Sequence, residues 1–102
     1  MAQSRLELQR ILEQIVGNRN VYFQPPQTIT MRYPCIVYHL TRSSVKYADD
    51  LKYKKLRLYS VTVIDRDPES KIVESVEALD YCTLTTTFVS DNLHHFVFDI
   101  YF

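Results

Sequence analysis

Apolar residues recur along this chain with two periods, and the change of period marks out the elements. Leu8, Ile11, Leu12, Ile15 and Val16 follow the i, i+3, i+4, i+7, i+8 spacing of one helix face, which predicts a helix over 4–16. Ser4 and Glu7 have the spacing of a capping box, and Gly17 stands where a helix takes its left-handed stop. Leu6 lies off this stripe, as a partner contact or simply an exposed leucine.

After the helix the pattern turns to strands. Residues 20–23 read as a short strand ended by Pro25-Pro26, and 28–31 as either another short strand or an ordered connection. Tyr33-Pro34 predicts a bend into a nearly apolar strand over 35–40, placed centrally in the sheet. A long strand follows over 55–64, with Tyr59, Val61 and Val63 on one face and Leu58, Ser60, Thr62 and Ile64 on the other. Between these two, residues 41–54 are polar, charged and without a clean period, and read as a long hairpin arm or loop.

The helical period returns over 68–79, where Ile72, Val73, Val76 and Leu79 form a stripe. Asp67 is its expected N-cap and Pro68 its expected first residue. Strands over 81–89 and 93–102 close the chain around a tight-turn signal, Ser90-Asp91-Asn92, and Phe96, Phe98, Ile100 and Phe102 share one face of the last. Two helices are too few to cover both faces of a parallel sheet. The order therefore predicts one α+β domain over 1–102, a mixed, mostly antiparallel β-sheet with two α-helices packed on one face. The other face, carrying Thr and Tyr, is left to water or a neighbouring subunit.

Composition narrows the function. At 102 residues, with 46% hydrophobic and 24% charged, the chain is of globular type and single-domain size. No apolar stretch reaches membrane length, and the first 20 residues lack the apolar core of a signal peptide, so a soluble intracellular protein is expected. Net charge is zero but unevenly spread: +2 over 1–41, +4 over 42–57 and −6 over 58–102. A polyanion binder is normally basic throughout, whereas a basic segment beside acidic territory suits head-to-tail self-association or a ring with unlike faces.

Signals for chemistry are sparse. His94 and His95 are adjacent and point to opposite sides of a strand; with His39 they read as polar surface or interface groups, and no metal-ligand spacing is present. Cys35 and Cys82 sit in apolar runs, away from any helix start that would stabilise a thiolate. They could pair if their strands were neighbours, but two free buried thiols are the preferred reading. One glycine cannot build a phosphate loop or nucleophile elbow. Asp65, Asp67 and Glu69 are read as capping and solubilising groups in preference to a two-metal site. Neither a catalytic constellation nor a cofactor site is expected, so the chain is read as a non-enzyme.

The segment that interleaves cations and rings is Lys46, Tyr47, Lys52, Tyr53, Lys54, Lys55 and Arg57. Such a pattern can follow a phosphate backbone, or it can form an arm that contacts a neighbouring subunit. These seven residues are the candidate assembly or partner contacts. A small nucleic-acid-binding accessory domain is the alternative from another class.

The order and spacing of these pieces over the whole chain resemble small neck and tail proteins of long-tailed bacteriophages of Gram-positive hosts, the tail terminator, tail completion or head–tail joining group. The carrying features are the opening amphipathic helix, the short strand before Pro25-Pro26, the run from Tyr33 to Tyr38, the long strand from Tyr59 to Asp65, Asp67-Pro68, and the ending from Val89 to Phe98. The resemblance implies a non-enzymatic hexameric ring that caps the tail tube protein and faces the head connector or completion protein. DNA would pass through it without specific binding. The location implied is the virion tail or neck, after assembly in the host cytoplasm. Another minor head-completion or tail adaptor protein is the alternative within the same class.

Overall fold

The computed structural model describes residues 5–17, 20–26, 30–48 and 52–102. The elements are α1 (Arg5–Val16), β1 (Val21–Phe23), β2 (Cys35–Ala48), β3 (Lys52–Asp65), α2 (Lys71–Glu77), β4 (Cys82–Ser90) and β5 (Leu93–Tyr101). The strands form one sheet in the order β1-β2-β3-β5-β4, parallel between β1 and β2 and antiparallel elsewhere. The predicted α+β architecture stands.

Register explains where the core sits. Ile36, Val63 and Phe96 form one cross-sheet row, and Tyr38, Val61 and Phe98 the next. Tyr59 and Ile100 continue the same face, and β1 adds Val21 beside Ile36 and Phe23 beside Tyr38. Leu8 and Leu12 of α1 and Val76 of α2 are buried in the cluster that these residues form. Gly17, at a φ of +84°, ends α1 as expected, donating its N–H to the Glu13 carbonyl at 2.9 Å. The expected Ser4 cap lies outside the described residues, as do 28 and 29 of the possible strand over 28–31; residues 30 and 31 belong to no regular element.

Tyr38 is the polar point inside this apolar layer. Its ring is fully buried, and its hydroxyl donates to Gln9 Oε1 and accepts from Arg5 Nη1 at 3.0 Å. Gln9 Nε2 donates to the Val21 carbonyl at 3.1 Å, and the Arg5 guanidinium lies 4.3 Å above the centre of the Phe23 ring. Arg5 and Gln9 are one helical turn apart, so both reach the same phenol.

Three expectations are corrected. The strands expected over 35–40 and 55–64 are 14 residues each, because the arm over 41–54 is mostly strand. Its Val45, Tyr47 and Tyr53 have high strand propensity, and mutual pairing supplies partners for the backbone of both halves. Residues 49–51 of that arm lie outside the described residues. The helix expected over 68–79 covers only Lys71–Glu77, and its N-cap is Ser70, not Asp67. Asp67 Oδ1 instead accepts from Glu69 N at 2.9 Å, which holds Pro68 in a turn, while Ser70 Oγ accepts from Ile72 N at 3.2 Å. At the other end the Leu79 N–H bonds the Val76 carbonyl at 3.0 Å, tightening the last turn before Asp80. The turn Asp91-Asn92 has both residues at positive φ, 53° and 62°, as a two-residue hairpin of the I′ kind demands.

Replacing Tyr38 by Phe removes the hydroxyl on which Arg5 and Gln9 converge. The expected cost is about 1–2 kcal/mol of folding stability, read as a lower urea midpoint with an unchanged m-value. An unaltered midpoint would show that the network contributes nothing.

Candidate assembly surface

The seven candidate residues all fall on the β2–β3 ribbon, but they are not one cluster. The backbone register opposes Lys46 to Lys54 and Tyr47 to Tyr53, with Lys55 across from Val45 and Lys52 across from Ala48. Arg57 stands apart, across from Ser43, where its backbone exchanges two hydrogen bonds with Phe102 at 2.9 and 3.3 Å.

Beyond Arg57 the described strands leave the ribbon paired only with itself. On one side β1 reaches β2 only at Ile36–Tyr38; on the other β5 reaches β3 only as far as Leu58 and Arg57. The long axis of the molecule measures 50 Å against 26 and 22 Å for the other two, and β3 at about 3.3 Å per residue accounts for most of it.

The second sheet face is less polar than the sequence suggested. Thr62, Thr83 and Ser60 lie on it, yet so do Cys35 and Ile64, both buried, with Val37 and Val97 half-buried. Strand β4 is the feature that sequence reasoning passed over. It carries no charged residue along its nine positions, it is an edge strand, and Leu84, Phe88 and Val89 are 38%, 48% and 61% exposed. The signal was present in the uncharged run Cys82–Ser90, which natural edge strands usually interrupt with a lysine or proline. The register shifts between Leu84 and Thr86, and the Thr85 hydroxyl donates to the Val97 carbonyl at 3.0 Å.

Little here supports small-molecule chemistry. A recess of about 190 Å³ between Leu8, Ile11, Leu79 and Phe102 is smaller than ordinary ligand pockets. Among the described residues no group of three or more His, Cys, Asp or Glu is placed to hold a metal ion, and no helix is long and apolar enough to cross a membrane. His94 lies across from Asp65 and Val89; His95 stacks on Phe88, ring centres 4.5 Å apart, and its Nδ1 lies 3.1 Å from the Leu93 carbonyl. Asp65 and Asp67 each accept a backbone N–H two residues on, within the turn that precedes α2 and not at its cap.

Both cysteines are free thiols. Burial, and after it the Asp65 carboxylate, pushes Cys35 up to about 12. Burial, then Glu77 and Asp99, pushes Cys82 up to about 11. No protein-family model matches this chain, and no curated protein matches it either.

Raised thiol pKa values have two measurable consequences. At pH 8 neither cysteine of the folded protein reacts appreciably with a disulfide reagent, whereas both react at once in urea. The folded state holds its thiol protons above the ordinary value of 9.0, so their contribution to stability is complete below pH 9 and is lost as pH rises towards 11 and 12. The urea midpoint should fall from about pH 9 upward, and less steeply in Cys35→Ala than in the parent.

Proposed function

We propose that this chain is a structural protein of a long-tailed bacteriophage, forming a ring at the head–tail interface that terminates the tail tube and joins it to the head connector. The observation that carries the reading is the β2–β3 ribbon, which continues past the sheet with free edges and a surplus of cations. An element of this kind gains its partners from a neighbouring subunit, and repeated head-to-tail contacts close into a ring when the rotation permits. Two further observations agree with it. The order of sequence features follows the tail terminator and head–tail joining group along the whole chain, and the fold has the mixed sheet with helices on one face that this group implies. On this reading the DNA passes through the ring without being held, and the protein has no catalytic role.

The basic ribbon also supports the competing reading of a nucleic-acid-binding domain, and two measurements separate them. Light scattering after gel filtration should give a mass near six times the 12.1 kDa chain. Duplex DNA should bind weakly, with no affinity that rises steeply as salt is lowered. A strict monomer whose DNA affinity falls with salt at a slope of about −0.9 per neutralised phosphate, and which loses that affinity in Lys52→Ala, Lys54→Ala and Lys55→Ala, would replace the ring by the binding domain.

A further inference from the structure

We infer that the edge of β4 from Thr86 to Ser90 is the docking site for the basic ribbon of a second copy of this chain, which adds its β3 strand to the sheet edge. This rests on the ring reading and names the contact that would build the ring.

Three properties make that edge a receptor. It is one of the two edge strands of the sheet and much the longer, it is uncharged, and it exposes Phe88 and Val89. An edge of this kind offers a row of backbone donors and acceptors to an incoming strand. The surroundings are acidic on balance: the exposed Asp67, Glu69 and Asp91 outnumber the exposed Arg66 and Lys71. Pro68 shares a recess with Thr87, Phe88 and Val89, which places the turn carrying the exposed Asp67 and Glu69 beside this half of β4. The exposed Asp91 follows Ser90 directly.

The ribbon meets those properties from the other side. Past Arg57, β3 has no strand partner among the described residues on its outer side, and this stretch carries Lys52, Lys54 and Lys55. Strand pairing with flanking opposite charges gives both affinity and register. The two surfaces cannot meet within one molecule. Phe88 lies, through His95, in the same cross-sheet row as Ile64, ten residues along β3 from Lys54, a separation of about 33 Å. The contact is therefore head to tail.

The test is charge reversal with restoration, read by light scattering at low and high salt. Lys54→Glu/Lys55→Glu should weaken self-association at least tenfold and bring the mass towards 12.1 kDa. Glu69→Lys/Asp91→Asn should do the same; Asp67 is left intact because it holds the turn before α2. The chain carrying both sets should regain assembly, since the two charge patterns again oppose each other. Far-UV circular dichroism establishes that each variant is folded. Should a reversal unfold the chain, Lys54→Gln/Lys55→Gln and Glu69→Gln replace it, and each should lower the salt concentration at half-dissociation. Parent-like assembly in either single set, or failure of the combined set to recover, overturns the inference. If the parent forms a ring and the variants form it equally well, this contact is wrong while the ring stands. If the parent is a monomer at every concentration, both fall.

Discussion

A tyrosine ring buried in the middle of a sheet brings its hydroxyl with it, and a buried hydroxyl without partners costs more than its ring gains from a modest extra contact. In this chain Tyr38 meets that constraint with two side chains from α1, Arg5 and Gln9, while its ring lies 5.0 Å from Phe23 and 6.0 Å from Tyr59. Burial raises the phenol pKa, and the hydrogen bond and charge of Arg5 pull it partly back. One group therefore fixes the rotation of α1 about its axis, its position over β1 and β2, and, through Gln9 and the Val21 carbonyl, the docking of the three-residue β1. A strand that short has little to hold it otherwise.

Once α1 and α2 are committed to that face, the rest of the sheet has no helix left to cover it. The second face and the outer strand β4 must manage their own exposure. Part of the second face does so by burying Cys35, Leu58 and Ile64. Strand β4 does not: its side chains are exposed along nearly its whole length, and it has no charge to discourage pairing. The ribbon poses the same problem in a different form, because beyond Arg57 its two strands pair, among the described residues, only with each other. Two open edges of opposite electrostatic setting among the described residues are what the proposed contact between copies would satisfy.

The legible and illegible parts of this fold divide by range. Helix α1, the stop at Gly17 and the Asp91-Asn92 turn are local phenomena, written in spacing and in residues that accept positive φ, and the sequence reading matched all three. The alternation of Tyr59, Val61 and Val63 likewise placed the core face of β3 correctly. The start of α2 was misread because Asp67-Pro68 is a strong local signal that a second signal, Ser70 three residues later, outcompetes once Ser70 is buried against the core. For the ribbon the sequence left a hairpin arm and a loop open, and the structure shows the paired arm. Its regularity comes from pairing between residues such as Lys46 and Lys54, a relation that no periodicity within either strand encodes.

The candidate site shows the same division. The seven ribbon residues were visible because charge and ring content are local properties, but the docking edge proposed for them was not, since nothing in Thr86–Ser90 marks it except the absence of charge. Strand order is what gives that absence meaning. An uncharged run in a central strand is ordinary core, and the same run in the outermost strand is an open edge. The sequence places Glu69 about twenty residues before Val89, and only the crossover β3–α2–β4, with β5 filling the gap, brings the turn at Pro68 against that edge. The proposed head-to-tail contact thus draws on topology acting on a charge distribution already present in the chain: a surplus of cations at one end of β3, a surplus of carboxylates at the other, and about 33 Å of sheet that keeps them from neutralising each other within a single copy.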